Sequence, residues 1–158
     1  SDLHMKRDCR AMAYQRVETM LRNQTAIERA VSEARAEQRG GHSGGGSSGH
    51  AFVSDPTAQQ AVTASIPLRS VTLDNGYVVR EPEKWLGIIH YLYEHFPAAD
   101  ASAMRYFYDG HSAVETGMKC NIGGSTVYHI REDFRAMGVE LACQYGLVSV
   151  VSVKEIAV

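Results

Sequence analysis

The sequence lacks several features that would place the protein in a particular class. No apolar run is long enough to cross a bilayer, and no signal peptide precedes Met5. The three cysteines, Cys9, Cys120 and Cys143, are odd in number and share no metal-ligand spacing. This pattern excludes a disulfide scaffold and favours a cytosolic protein with free thiols. The net charge of -2 gives the whole chain no electrostatic attraction to nucleic acid. Residues 1–4 are interpreted as a remnant of expression.

Proline and glycine are absent between Lys6 and Arg39, and the composition there predicts one long helix. A stripe with the alternating steps of four and three of a coiled-coil seam runs through this helix: Ala13, Val17, Met20, the polar Gln24, Ile27, Val31 and Ala34. The stripe is equally compatible with a partner helix, a second copy of the chain included, and with docking on the chain's own globular part. Residues 5–40 carry three more basic than acidic residues.

Residues 40–53 are predicted to be a flexible linker, because the run GGHSGGGSSGH contains too much glycine to hold a packed conformation. His42 and His50 have no cysteine or carboxylate partner in a rigid element, so no metal site is assigned to them. The linker would separate the N-terminal helix, residues 5–39, from a C-terminal domain, residues 54–158.

The first half of the C-terminal domain shows three local signals. Asp55 and Pro56 predict the start of a short helix that ends near Ala64. Residues 71–79 predict a β-hairpin, with Asn75-Gly76 in a tight primed turn. Pro82 opens the most apolar helix, which Pro97 closes and which we expect at the centre of the core. The valine-rich residues 147–153 are expected to add a strand to the hairpin.

The stretch from Ala98 to Tyr145 predicts a helix-turn-helix. Ser112 and Glu115 have capping-box spacing, and Val114 and Met118 are expected to form the apolar face of the first helix. Gly117 suits a close helix crossing. Asn121 tolerates the left-handed turn conformation, Ile122 would plug the turn, and Ser125 is expected to cap the second helix. The buried face of that helix is predicted at Val127, Ile130, Phe134, Met137 and Leu141.

The second helix of such a unit enters the DNA major groove with its N-terminal residues closest to the bases. The candidate DNA contacts are Lys119, Gly124, Ser125, Thr126, Tyr128, His129, Arg131 and Arg135, together with Lys6, Arg7 and Arg10 on the N-terminal helix. Residues 98–146 contain four basic and six acidic residues, so we expect weak affinity from this unit alone. Two helices of an ordinary core are the alternative interpretation.

The predicted fold is therefore mainly α, with a long N-terminal helix, a Gly/Ser linker, and a helical domain that carries a helix-turn-helix and a small hairpin. No phosphate-binding glycine loop, paired carboxylates or nucleophile motif is present. We expect no enzymatic activity, no cofactor and no bound metal.

The order of these pieces resembles that of RinA/ArpU-like phage late-gene transcriptional regulators, whose helix-turn-helix looks like the promoter-reading region of sigma factors. The resemblance is carried by SDPTAQQAV at residues 54–62 and by residues 110–148, above all by Ser54-Asp-Pro-Thr57 and Ser125-Thr-Val-Tyr128. It implies a cytoplasmic protein of the bacterial host cell that binds promoter-proximal double-stranded DNA. It also implies regulation of late-gene transcription, by activation or antitermination, with host RNA polymerase as a further partner.

A DNA-packaging protein of the small-terminase type is the alternative function, since such proteins also join a helix-turn-helix to an oligomerising helix. It would form a ring of many copies, which light scattering would detect.

Overall fold

The computed structural model describes the backbone of residues 2–40 and 66–150, and the side chains of residues 9–39 and 66–150. In these ranges the protein is mainly helical, with one small antiparallel sheet. The elements are α1 (Asp2–Arg22), α2 (Gln24–Gly40), β1 (Ser70–Thr72), β2 (Val78–Arg80), α3 (Pro82–His95), α4 (Ala98–Tyr108), α5 (Ala113–Cys120) and α6 (Gly124–Gln144).

The chain divides into two compact units that do not follow the predicted domain boundaries. Unit 1 combines residues 1–24 with residues 84–158, and unit 2 comprises residues 25–83. The predicted boundary at residues 39 and 40 therefore lies within unit 2. In unit 1, α1 belongs with the helices that follow the hairpin, because its apolar residues are buried there.

The N-terminal helix is two helices instead of the single one predicted, and Asn23 separates them. The Asn23 side chain donates to the carbonyl oxygen of Thr19 at 2.7 Å, and its backbone N–H is shared between the carbonyls of Thr19 and Met20. An amide side chain that bonds to nearby backbone in this way competes with helix continuation. The break at Asn23 falls next to the border between the two units.

The centre of unit 1 is formed by α3, as predicted. Ile88, Ile89 and Leu92 of α3 are almost completely buried. Phe134 of α6 is also buried, and its ring meets those of Tyr93 and Phe96 edge-on at centroid distances of 5.1 and 4.5 Å. Burial raises the pKa of the Tyr93 hydroxyl to about 12.

In unit 1, α1 packs directly against α6. Val17 is 2% exposed, and a Cβ atom added to Gly138 would lie 2.7 Å from the Val17 Cγ1 atom. Because α1 approaches α6 closely at Gly138, the buried face of α6 differs from the predicted one. Beyond Phe134 the buried residues are Gly138, Val139 and Ala142, while Met137 and Leu141 are only half-buried.

Unit 2 contains the predicted hairpin, with Val71 opposite Val79. Its turn is not of the primed type: Asn75 does not have a positive φ, whereas Gly76 does, at +86°. The Gly76 N–H donates to the Leu73 carbonyl at 2.9 Å, so the glycine takes the left-handed position that follows an ordinary turn. Arg35 and Glu83, also in unit 2, form an ion pair in which Arg35 Nη2 donates to both carboxylate oxygens, at 2.6 and 2.9 Å.

Three predictions fall wholly or partly on residues outside the described ranges. They are the linker at residues 40–53, the short helix that begins near Asp55, and the last part of the strand at residues 147–153. Of these, Gly40 is the last residue of α2, and residues 147–150 form no strand.

Candidate nucleic-acid interface

The site is built on α5, the turn that follows it, and the start of α6. The predicted capping box at the start of α5 is confirmed. The Ser112 hydroxyl accepts from the Glu115 N–H at 3.0 Å, and the Glu115 carboxylate accepts from the Ser112 N–H at 3.4 Å. Two of the N–H groups that a helix start leaves unsatisfied are thereby paired, which fixes the first turn.

The buried face of α5 differs from the one predicted. Val114 is 67% exposed and Met118 is 79% exposed, so the expectation that they form the packed face is wrong. The buried residues are Ala113, Thr116 and Gly117. Thr116 satisfies its hydroxyl by donating to the Ser112 carbonyl at 2.8 Å. Small residues on this side let α5 approach its neighbours closely, and the two larger apolar side chains are left at the surface.

The turn between α5 and α6 has the predicted local chemistry. Asn121 takes the left-handed conformation, with φ 58° and ψ 47°. The Ile122 N–H donates to the Gly117 carbonyl at 2.9 Å, which closes the end of α5. A Cβ atom at position 117 would lie 2.7 Å from the Ile122 carbonyl oxygen, a backbone atom that cannot move independently. Glycine is therefore required at this position for the chain to turn tightly.

The second helix of the pair begins earlier than predicted. Gly123, and not Ser125, is the capping residue, and it provides no side chain to accept from the first N–H groups. Ser125 and Thr126 lie in the first turn, Tyr128 and His129 lie in the second, and all four side chains are exposed. Val127 and Ile130 are buried, as predicted. The four exposed side chains therefore lie around the start of α6, where the first backbone N–H groups have no partner within the helix. Such a helix start is a favourable environment for an anion.

The exposed surface of α6 is not basic. Glu132 and Asp133 follow one turn after the candidate base-reading residues, and both are exposed. Glu132 accepts from Arg135 at 3.0 Å. Lys119, a candidate DNA contact in the last turn of α5, is basic and exposed. The carboxylates of Glu132 and Asp133 lower the attraction of α6 for phosphates, in line with the excess of acidic residues counted in the sequence.

Arg131 and Arg135 point toward α1, where they meet Glu18. The Glu18 Oε2 atom lies 3.1 Å from Arg131 Nη2 and 2.7 Å from the Nε atom of Arg22, and the Glu18 Oε1 atom lies 3.5 Å from Arg135 Nε. The Tyr108 hydroxyl donates to Glu18 Oε1 at 2.8 Å. One carboxylate thus contacts three guanidinium groups and a phenol, and we call these five residues the Glu18 cluster.

The ionisation of the Glu18 cluster follows from this geometry. Burial alone would raise the pKa of the Glu18 carboxyl, but hydrogen bonds from Arg131 and Tyr108 and the charges of Arg131 and Arg22 outweigh it and lower the pKa. Burial and the neighbouring carboxylate both raise the pKa of the Tyr108 hydroxyl. Burial would lower the pKa of Arg131, and its bond to Glu18 reverses this effect. Glu18 and Arg131 are therefore both charged at neutral pH, and the Tyr108 phenol keeps its proton.

The structure thus brings together some of the candidate residues and separates others. The residues from Gly124 to His129 share the start of α6, whereas Arg135 is held by two carboxylates and is a poor candidate for a DNA contact. Arg10 is exposed on α1, and the side chains of Lys6 and Arg7 lie outside the described residues. Arg22 was missed by sequence reasoning. The signal for it was its spacing of four residues from Glu18.

An open depression of about 530 Å³ lies beside the turn. Its lining combines the exposed apolar pair of α5 with the turn backbone: Val114, Gly117, Met118, Asn121, Ile122, Gly123 and Gly124. In the described part of the chain, no group of three or more histidine, cysteine, aspartate or glutamate residues is arranged to hold a metal ion. Nor is any helix in these ranges long and apolar enough to span a membrane.

Comparison of the chain with protein-family models, with curated proteins and with solved structures found no match.

Proposed function

We propose that α5, the turn and α6 form a helix-turn-helix that binds double-stranded DNA in a sequence-specific way. The observation that carries the proposal is the tight turn, in which Gly117 lies against the Ile122 carbonyl and Asn121 is left-handed. This turn holds the start of α6 at the surface with its polar side chains exposed. A second helix presented in this manner is the element that enters a major groove.

In this proposal the exposed residues at the start of α6 have different roles. Tyr128 and His129 lie three and four residues after Ser125, so both share a face with it and the three side chains can contact base edges together. Thr126 lies at the edge of that face, from which it can also contact a base edge. The unpaired N–H groups from Gly124 onward and the Lys119 ammonium would contact phosphates, which fix the register on the duplex without reading sequence.

The biological role that we propose follows from the resemblance to RinA/ArpU-like regulators. The protein would bind a promoter-proximal site in the bacterial cytoplasm and regulate late-gene transcription of a phage or prophage, as an activator or an antiterminator. Host RNA polymerase is the proposed protein partner. DNA binding of this kind needs no cofactor or catalytic residue.

The experiment that tests this function is selection of bound sequences from a pool of random duplexes. The full chain should enrich one short motif, and footprinting with and without RNA polymerase should then show whether the polymerase extends the protected region. Recovery of random sequences at all salt concentrations would refute sequence-specific binding.

A DNA-packaging oligomer of the small-terminase type is the second candidate. The exposed pair Val114 and Met118 favours it, because two large apolar side chains on one helix face are suited to a contact between protein subunits. The two candidates differ in mass in solution. Light scattering should find a ring of many copies for a packaging protein, and a monomer or dimer for the transcriptional regulator.

A further inference from the structure

The Glu18 cluster contains more positive charge than its carboxylate neutralises. Arg22 and Arg131 both contact the same atom, Glu18 Oε2, at 2.7 and 3.1 Å. Arg135 has a second carboxylate, Glu132, at 3.0 Å. If Arg135 and Glu132 are counted as one neutral pair, Arg22 and Arg131 share the single negative charge of Glu18. One positive charge is then left over.

The two guanidinium groups are also held in place by an aromatic ring. The Cζ atoms of Arg22 and Arg131 each lie 5.4 Å from the centroid of Phe107. A guanidinium that lies over a ring and is paired with a carboxylate has already given up part of its rotamer freedom before a ligand arrives. The ordering cost of binding an anion at this pair is therefore reduced.

Arg22 has free hydrogen-bonding capacity at the surface, and it contacts the same carboxylate oxygen as Arg131. The side chain of Arg22 is 48% exposed, and that of Arg131 is 21% exposed. Arg22 contacts Glu18 through Nε, and its two Nη groups have no acceptor among the described residues. A guanidinium edge with two parallel N–H groups matches the oxygens of a phosphate.

We propose that Arg22 and Arg131 form a phosphate-binding site beside α6, and that the phosphate belongs to the DNA backbone. The choice of DNA as the source rests on the proposed function. Arg131 follows Ser125 by six residues, which is about 9 Å along a helix axis. Arg131 also follows Tyr128 by three residues, so it lies beside the face that is proposed to contact base edges and can reach a phosphate at the groove wall. The Arg22 and Arg131 pair thereby supplies the attraction for DNA phosphates that the acidic surface of α6 lacks.

The test compares Arg22→Gln with Arg16→Gln, which removes the same charge from the same helix. Arg16 donates to the Leu147 carbonyl at 3.3 Å and lies outside the cluster. Glu18 keeps Arg131 and Arg135 in the Arg22→Gln variant, so the fold should persist. Two quantities are measured for each variant: the rise of Tm in inorganic phosphate over chloride at equal ionic strength, and the salt dependence of duplex binding.

Inorganic phosphate should raise the Tm of the wild-type protein and of Arg16→Gln, but not that of Arg22→Gln. In DNA binding, Arg22→Gln should lower the slope of log K against log salt by about 0.9 and weaken affinity roughly fivefold at physiological salt, with the preferred sequence unchanged. Equal Tm shifts and equal slopes for the two variants would overturn the proposed site. Phosphate stabilisation that depends on Arg22 in a protein that binds no duplex would support the site and refute the proposed function.

Discussion

The Glu18 carboxylate of α1 lies 3.1 Å from the Arg131 guanidinium of α6, two residues that are far apart in sequence and belong to the same compact unit. The contact is reinforced by Tyr108 of α4, which donates to the same carboxylate. The first helix of the chain is therefore part of the structure that holds the proposed recognition helix. A change in α1 is therefore expected to affect the stability of the proposed recognition helix as well.

The first prediction concerns Glu18→Gln, which keeps the shape of the side chain and removes its charge. We expect the free energy of unfolding to fall by about 2–4 kcal/mol, since the half-buried Arg131 guanidinium loses its carboxylate partner. Chemical denaturation at pH 7 measures the difference. A change below about 0.5 kcal/mol, the range of ordinary surface substitutions, would contradict the structural role of the cluster.

The destabilisation caused by Glu18→Gln should also depend on pH. Because the folded-state pKa of Glu18 lies below its ordinary value of 4.5, its ionisation stabilises the folded state above that pH. This contribution is lost as pH falls through the lowered folded-state pKa. The stability difference between the wild-type protein and Glu18→Gln should thus be constant at neutral pH and shrink below about pH 4.5. A difference that is the same at pH 7 and pH 3 would show that the charge is not responsible.

The second prediction compares two glycine-to-alanine changes within helices. Gly117→Ala should destabilise the protein by about 1–3 kcal/mol, because the new Cβ would lie 2.7 Å from the Ile122 carbonyl oxygen. Gly87→Ala in α3 meets no atom within 4 Å and should stabilise it by roughly 0.5–1 kcal/mol. Thermal unfolding of both variants checks this. Equal effects of the two substitutions would mean that the turn does not depend on the close approach of position 117 to the Ile122 carbonyl oxygen.

The third prediction tests whether α1 is docked on α6 in solution. Val17 is 2% exposed, and Met12 on the same helix is 70% exposed. Val17→Ala should cost about 2 kcal/mol of unfolding free energy, through lost burial and an incompletely filled space. Met12→Ala should change it by less than about 0.5 kcal/mol. If both substitutions were neutral in urea denaturation, α1 would not be packed as described.

Much of the local structure could be predicted, because it depends on residues that are close in sequence. The capping box of Ser112 and Glu115, the left-handed Asn121 and the α3 helix between Pro82 and Pro97 all follow from short-range rules. The hairpin was predicted as well, although its turn differs. Asn-Gly is compatible with several turn types, and the choice among them depends on how the flanking strands twist.

The errors arose where distant residues decide the outcome. The spacing of Val114 and Met118 indicated an apolar face, but Ala113 and Gly117 allow a closer approach and occupy the packed side. The α1 stripe could have met several surfaces, and its spacing did not reveal that Val17 would lie against Gly138. The contact between Glu18 and Arg131 likewise had no sequence signal, since ion pairs between separate helices follow no fixed spacing.

The most direct test of the account is the sequence selectivity of a variant with alanine at Thr126, Tyr128 and His129, compared with one that carries alanine at Glu140 and Gln144. All five side chains are exposed on α6, so neither variant should unfold. Binding to the selected motif and to a scrambled duplex is measured at the same salt concentration. The account predicts that the first variant loses about 1–3 kcal/mol of selectivity for each lost base contact, while the second matches the wild-type protein. Unchanged selectivity in the first variant, with a native circular dichroism spectrum, would contradict the assignment of α6 as the recognition helix.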